Sequence, residues 1–238
     1  MAPGIGEALC GGFFTFFSVW QLCVMQVTPF YIAFGVGTYL LIRTGGIRGL
    51  AVMGFVAAAL ALGFSVTFGL LSVPALEPGG TILRNIKVLR PLAGAFIAVA
   101  ATLMAFFSIA GPSGRKSAVM VVLAPLVGAA FAIGYAPCIA PALGELLNYA
   151  AMPDNSKTGF TLLTAYGLGL SAAFTVVGAA ISLVLAVVGR AGRGKAAAEE
   201  GEGVNIPALI ASLVLMSMGV LLMTGLMLRY KAFLVNLM

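Results

Sequence analysis

Six long apolar runs follow one another through this chain, joined by short polar connectors, and that succession governs what it can fold into. The runs extend from about Phe13 to Ile42, Gly49 to Val73, Leu92 to Gly111 and Pro112, Ala118 to Met152, Gly159 to Val188, and Ile206 to Leu228. Eighteen or more apolar residues in a row suffice to cross a bilayer as a helix. The connectors are Arg43 to Arg48, Glu77 to Arg90, Gly111 to Lys116, Pro153 to Lys157, and Arg190 to Asn205. Composition closes off the soluble alternative. Of the 238 residues 61% are apolar and 8% charged, and the mean hydropathy is +1.12. A soluble domain carries about a quarter charged residues, so too little polar surface is present to cover a globule. The chain therefore reads as an all-α integral membrane protein forming a single transmembrane domain.

Charge and special residues exclude several functions. The net charge of +6 comes from basic residues scattered among loops, which is ordinary for membrane topology and gives no reason to invoke nucleic acid. The chain has no histidine, so the usual general base and commonest metal ligand are missing. Its three cysteines, Cys10, Cys23 and Cys138, make neither a zinc framework nor a disulfide-stapled scaffold. Residues Met1 to Gly12 carry Glu7 and no Lys or Arg, unlike the basic start of a cleavable signal. The first apolar run is expected to remain in the mature protein.

The first and fourth runs exceed 30 residues and contain proline: Pro29 in one, Pro137 and Pro141 in the other. Proline deletes a backbone hydrogen bond and clashes with the preceding turn. Both runs are expected to be interrupted, near Pro29 and Pro141. The chain also repeats a pattern. Gly63, Ser65 and Phe68 in the second run match Gly169, Ser171 and Phe174 in the fifth, at identical spacing. Cys23 and Cys138 each lie in the first run of a group of three. Three spans per group require the second copy to enter the membrane from the opposite side. The expected architecture is two inverted repeats, about residues 1–112 and 113–238, with a functional site at their interface.

A single cysteine in an apolar helix is usually a small hydrophobe. Two in corresponding positions, each beside a helix break, also fit a working thiol pair. Thiol–disulfide exchange needs a thiolate and access for a partner thiol. A helix break supplies free N–H groups that favour the thiolate, and inverted symmetry could bring two such thiols together.

The run from Gly134 to Gly144, with Pro137, Cys138 and Pro141, resembles the fourth-helix motif of the CcdA/DsbD thiol–disulfide transporters, whose core is Pro-Cys-x-x-Pro. The run from Phe17 to Tyr31 around Cys23 is similar to the first-helix counterpart, and Leu62 to Leu71 to the second helix. The first motif departs from the family pattern. Leu22 and Gln26 stand where the family has proline, and only Pro29 is kept. The resemblance implies that Cys23 and Cys138 are the redox pair. It also implies transfer of reducing equivalents from cytoplasmic thioredoxin to extracytoplasmic thioredoxin-like proteins, in cytochrome c maturation or a related process. No cofactor or metal enters that chemistry. Cys10 maps onto nothing in the family.

The rival reading is a small-solute or ion exporter on the same inverted-repeat plan, with the cysteines as passengers; a third is a purely structural subunit. Glu145 is a candidate intramembrane carboxylate or an ordinary surface residue, with Asn148 and Asp154 close behind it. An N-terminus outside the plasma membrane puts Arg43, Arg48, Arg115, Lys116, Arg190, Arg193 and Lys195 in the cytoplasm. That is seven basic residues against six, and the family's orientation agrees.

Overall fold

The computed structural model describes residues 4–17, 22–42, 47–73, 77–109, 114–134, 141–192, 206–226 and 229. Over these the chain is all helical. Helix α1 covers Ile5–Phe17, α2 Leu22–Ile42, α3 Ile47–Ser72, α4 Glu77–Arg84 and α5 Ile86–Ile109. Helix α6 covers Gly114–Gly134, α7 Pro141–Ala150, α8 Ser156–Gly192 and α9 Ile206–Met223, with a 3₁₀ turn at Pro153–Asn155. Among the described residues, four helices are long and apolar enough to cross a membrane: Val52–Ser72 in α3, Ile86–Ile109, Ser156–Ile181 in α8, and Ile206–Met223. The apolar stretches Ile5–Phe17, Val27–Leu41 and Val119–Gly134 are shorter. The first expected run thus corresponds to α1 and α2, and the fourth to α6 and α7.

The interruption expected at Pro29 is not found, because α2 runs through that residue. A proline costs the helix one backbone bond, and within a bundle neighbouring helices and small backbone adjustments accommodate the loss. Pro91 in α5 and Pro125 in α6 are also interior to their helices. Pro141 is the first described residue of α7, and residues 135–140 before it lie outside the described residues, so the interruption expected there stays an expectation.

Two other boundaries differ from expectation. The stretch from Glu77 to Arg90, read as a connector, is helical. Glu77 in the first turn of α4 and Arg84 in its last suit the helix dipole. The Thr81 hydroxyl donates to the Glu77 carbonyl at 2.9 Å. Helix α9 stops at Met223 rather than near Leu228. Gly225 has φ 69°, a left-handed conformation that glycine adopts freely and that ends helices.

Glycines set how closely the helices approach. A Cβ on Gly12 of α1 would strike the Tyr166 carbonyl oxygen and press on the Leu170 N–H of α8. One on Gly128 of α6 would strike the Leu60 carbonyl oxygen and press on the Phe64 N–H of α3. In return, Gly169 of α8 lies against the backbone of Leu9 and Phe13, and Gly63 of α3 against that of Pro125. Tyr166, Gly169 and Leu170 each stand 106 residues after Leu60, Gly63 and Phe64; Pro125 and Gly128 stand 116 after Leu9 and Gly12. The two contacts are therefore the same contact made twice.

A third crossing is reciprocal with itself. A Cβ on Gly94 of α5 would come 2.7 Å from the Gly219 carbonyl oxygen and 2.8 Å from the Met223 nitrogen. One on Gly219 of α9 would come 2.8 Å from the Gly94 oxygen and 2.9 Å from the Ala98 nitrogen. Gly94 beside Met223 and Ala98 beside Gly219 make α5 and α9 antiparallel. Without a hydrophobic driving force in lipid, such close backbone packing is a main source of helix association.

The interior is apolar. Phe34, Phe64, Ile97, Met104, Phe131, Leu163, Leu170 and Leu215 are fully buried. Phe14, Phe55, Leu62, Phe106, Val122, Val176 and Leu213 point outward, the arrangement expected of a lipid-facing surface.

Candidate functional site

Cys23 is the second residue of α2. Residues 18–21, just before α2, lie outside the described residues. Helix α2 packs against α9, α8, α6, α3 and α5, so it lies among the other helices. Along its length Val27, Phe30, Tyr31 and Phe34 are buried. Gly37 is pressed against Met104 of α5 and Ala211 of α9. The Thr38 hydroxyl donates to the Phe34 carbonyl at 2.7 Å, which satisfies it inside the core.

The other expected site residues separate as follows. Pro29 lies inside α2, and Pro141 opens α7. Pro137 and Cys138 fall between α6 and α7, outside the described residues, so the approach of Cys138 to Cys23 stays an expectation. Glu145 is on the exposed face of α7 with Asn148, while Leu143, Leu146 and Ala150 form the buried face. Cys10 is a free, exposed thiol on α1. Among the described residues no three His, Cys, Asp or Glu side chains gather to hold a metal.

The structure gives several phenylalanines a definite place. Tyr31 lies about 12 Å along α2 from Cys23, at 1.5 Å per residue. Its ring meets Phe174 of α8 at 4.7 Å between centroids, Phe131 of α6 at 5.7 Å and Phe64 of α3 at 6.2 Å. Phe16 of α1 joins through Phe174 at 5.4 Å, and Phe68 links to Tyr166 at 6.1 Å. Helices from both halves thus close on one aromatic cluster. Phe68 and Phe174, the last members of the repeated pattern, both belong to it, and that repetition was the signal available in the sequence.

Hydroxyls line one side of this cluster. Tyr166 donates to Thr15 at 2.8 Å, tying α1 to α8 across 151 residues of chain. An interhelical bond of this kind contributes about 0.6 kcal/mol in membrane proteins. Thr175 donates to the Ser171 carbonyl at 2.8 Å, and the buried Tyr31 hydroxyl has no hydrogen-bond partner among the described residues. The paired serines behave alike. Ser65 donates to Ala61 and Ser171 to Leu168, each within its own helix, so both hydroxyls are satisfied while fully buried.

Two glycines flanking the candidate site fill tight contacts. Gly37 meets Met104, and a Cβ on Gly134 would come 2.9 Å from Leu222. Gly35 has open space around it.

No protein-family model matches the chain, and no solved structure matches it. The chain is similar to the cytochrome c-type biogenesis protein CcdA of Halalkalibacterium halodurans, with 32% identity over 100 residues. That stretch spans 42% of this chain and 38% of the relative. The likeness points to the same family as the segments around Cys23 and Cys138.

Proposed function

We propose that this chain is a multi-pass plasma-membrane carrier of reducing equivalents that works by thiol–disulfide exchange through Cys23 and Cys138. The observation that carries the proposal is the likeness of the chain to a cytochrome c-type biogenesis CcdA, in a chain with Cys23 on α2 and Cys138 between Pro137 and Pro141. A thiolate is the attacking species in such exchange.

The reading includes six spans arranged as two inverted repeats. The doubled glycine contact and the antiparallel, self-reciprocal crossing of Gly94 and Gly219 support it. A two-fold axis in the membrane plane relates each helix to an antiparallel copy, and such repeats hold their site at the interface.

The chemistry balances without a cofactor. A cytoplasmic thioredoxin thiolate attacks the Cys23–Cys138 disulfide and forms a mixed disulfide, releasing one thiol of the pair. The second thioredoxin thiol resolves that bond, leaving thioredoxin oxidised and the pair as a dithiol. On the other side the dithiol reduces a thioredoxin-like acceptor by the same two steps, and the disulfide re-forms. Two electrons and two protons pass per cycle. The acceptor serves cytochrome c maturation or a related reduction, and the N-terminus faces outward.

A trapping experiment tests the exchange. A variant with one member of the pair replaced by serine, mixed with a thioredoxin lacking its resolving cysteine, is expected to accumulate a covalent adduct that dithiothreitol dissolves. Absence of any adduct with both Cys23→Ser and Cys138→Ser, while the unaltered protein still reduces the far side, would send the electrons by another route.

A further inference from the structure

We propose that the membrane-entry end of α5, with Arg84, Lys87 and Arg90, is a binding surface for anionic phospholipid headgroups. These cations recur every three residues across the α4–α5 junction, and all are exposed. Asn85 is a turn between the two helices: its N–H donates to the Thr81 carbonyl at 3.3 Å, and its carbonyl accepts from the Val88 and Leu89 N–H groups, each at 2.9 Å. Within α5, at 100° per residue, Lys87 and Arg90 lie about 60° apart, and Arg84 is the last residue of α4, just before them. Beside them on the exposed surface stand Val88 and Leu92, 60% and 59% exposed. The opposite side turns inward, with Ala93 buried and Ile86 and Leu89 partly so.

Two features select lipid as the occupant. The candidate span Ile86–Ile109 begins within this cluster, so the cations sit where a helix enters the bilayer. The apolar Val88 and Leu92 beside them suit acyl chains, while guanidinium and ammonium groups suit phosphate. Each basic side chain at such a surface attracts anionic lipid by about 1 kcal/mol. The plainer role is capping: α5 and α9 are antiparallel, so this end of α5 lies by the C-terminal end of α9, whose carbonyls attract cations. Among the described residues, however, none of the three forms an ion pair or donates a hydrogen bond to α9. Glu77, seven residues before Arg84, is the carboxylate on α4.

The test titrates the purified full chain in detergent with short-chain phosphatidylglycerol and, separately, phosphatidylcholine, and counts bound lipid by native mass spectrometry. Phosphatidylglycerol is expected to be retained preferentially. Combined Arg84→Gln, Lys87→Gln and Arg90→Gln should weaken its binding on the order of 100-fold. Arg84→Lys with Arg90→Lys should keep most of it. If the triple variant folds poorly, Lys87→Gln alone is expected to weaken binding by about fivefold. Equal retention of the two lipids by the unaltered protein overturns the proposal. So does unchanged phosphatidylglycerol binding by the variants, including the case in which they lose only an acidic protein partner.

Discussion

Replacing either Cys23 or Cys138 with serine is expected to abolish delivery of reducing equivalents across the membrane, down to the level of membranes lacking the protein. Serine is nearly isosteric with cysteine, so a loss of activity would not follow from packing. The chemistry explains the size of the effect. A hydroxyl can neither attack a disulfide nor hold one, and a single thiol can form the mixed disulfide but cannot resolve it. No intermediate loss is anticipated. Cys10→Ser supplies the control, since Cys10 is exposed on α1 and has no part in the cycle. The measurement is the redox state of an extracytoplasmic thioredoxin-like reporter, followed by alkylation. Full activity in Cys23→Ser would favour the exporter or scaffold readings, in which the cysteines are passengers.

The second large effect concerns the doubled glycine contact. Gly63→Ala and Gly169→Ala are each expected to destabilise the bundle by about 1–3 kcal/mol, because the added methyl meets backbone rather than a side chain that can turn aside. Gly63 would meet the Pro125 carbonyl and Gly169 the Leu9 carbonyl, so the helices must part. The two losses should be similar, since both changes fall at equivalent places of the same contact. Gly54→Ala and Gly178→Ala form the comparison. Nothing lies within 4 Å of a Cβ at either position, and alanine favours the helix by up to about 1 kcal/mol. Unfolding midpoints in mixed detergent micelles measure all four. A neutral Gly169→Ala beside a damaging Gly63→Ala would break the equivalence of the two halves.

Some of this was legible in the sequence. Helix class and membrane character followed from the length of the apolar runs, which leaves no other way to satisfy the backbone in lipid. The repeated Gly, Ser and Phe pattern located the helices that carry close contacts. It could not name their partners, because Gly63 meets Pro125 and Gly169 meets Leu9 through long-range packing. Proline was overread. Pro29, Pro91 and Pro125 lie inside helices. The connector from Glu77 was underread, because an eight-residue amphipathic helix shows too few turns to stand out beside long apolar runs.

The central claim is that Cys23 and Cys138 form one reversible disulfide, and it is tested most directly by differential alkylation with peptide mass mapping. Purified protein is divided into oxidised and dithiothreitol-reduced samples, and free thiols are capped with a heavy or light reagent. In the oxidised sample the account predicts that Cys10 is capped while Cys23 and Cys138 are recovered as one cross-linked peptide pair. In the reduced sample all three should be capped. A disulfide requires Cα atoms within about 7 Å, so recovery of that pair would also fix Cys23 and Cys138 as neighbours. Oxidised protein in which Cys23 and Cys138 are both freely capped, or joined to other thiols, would contradict the account.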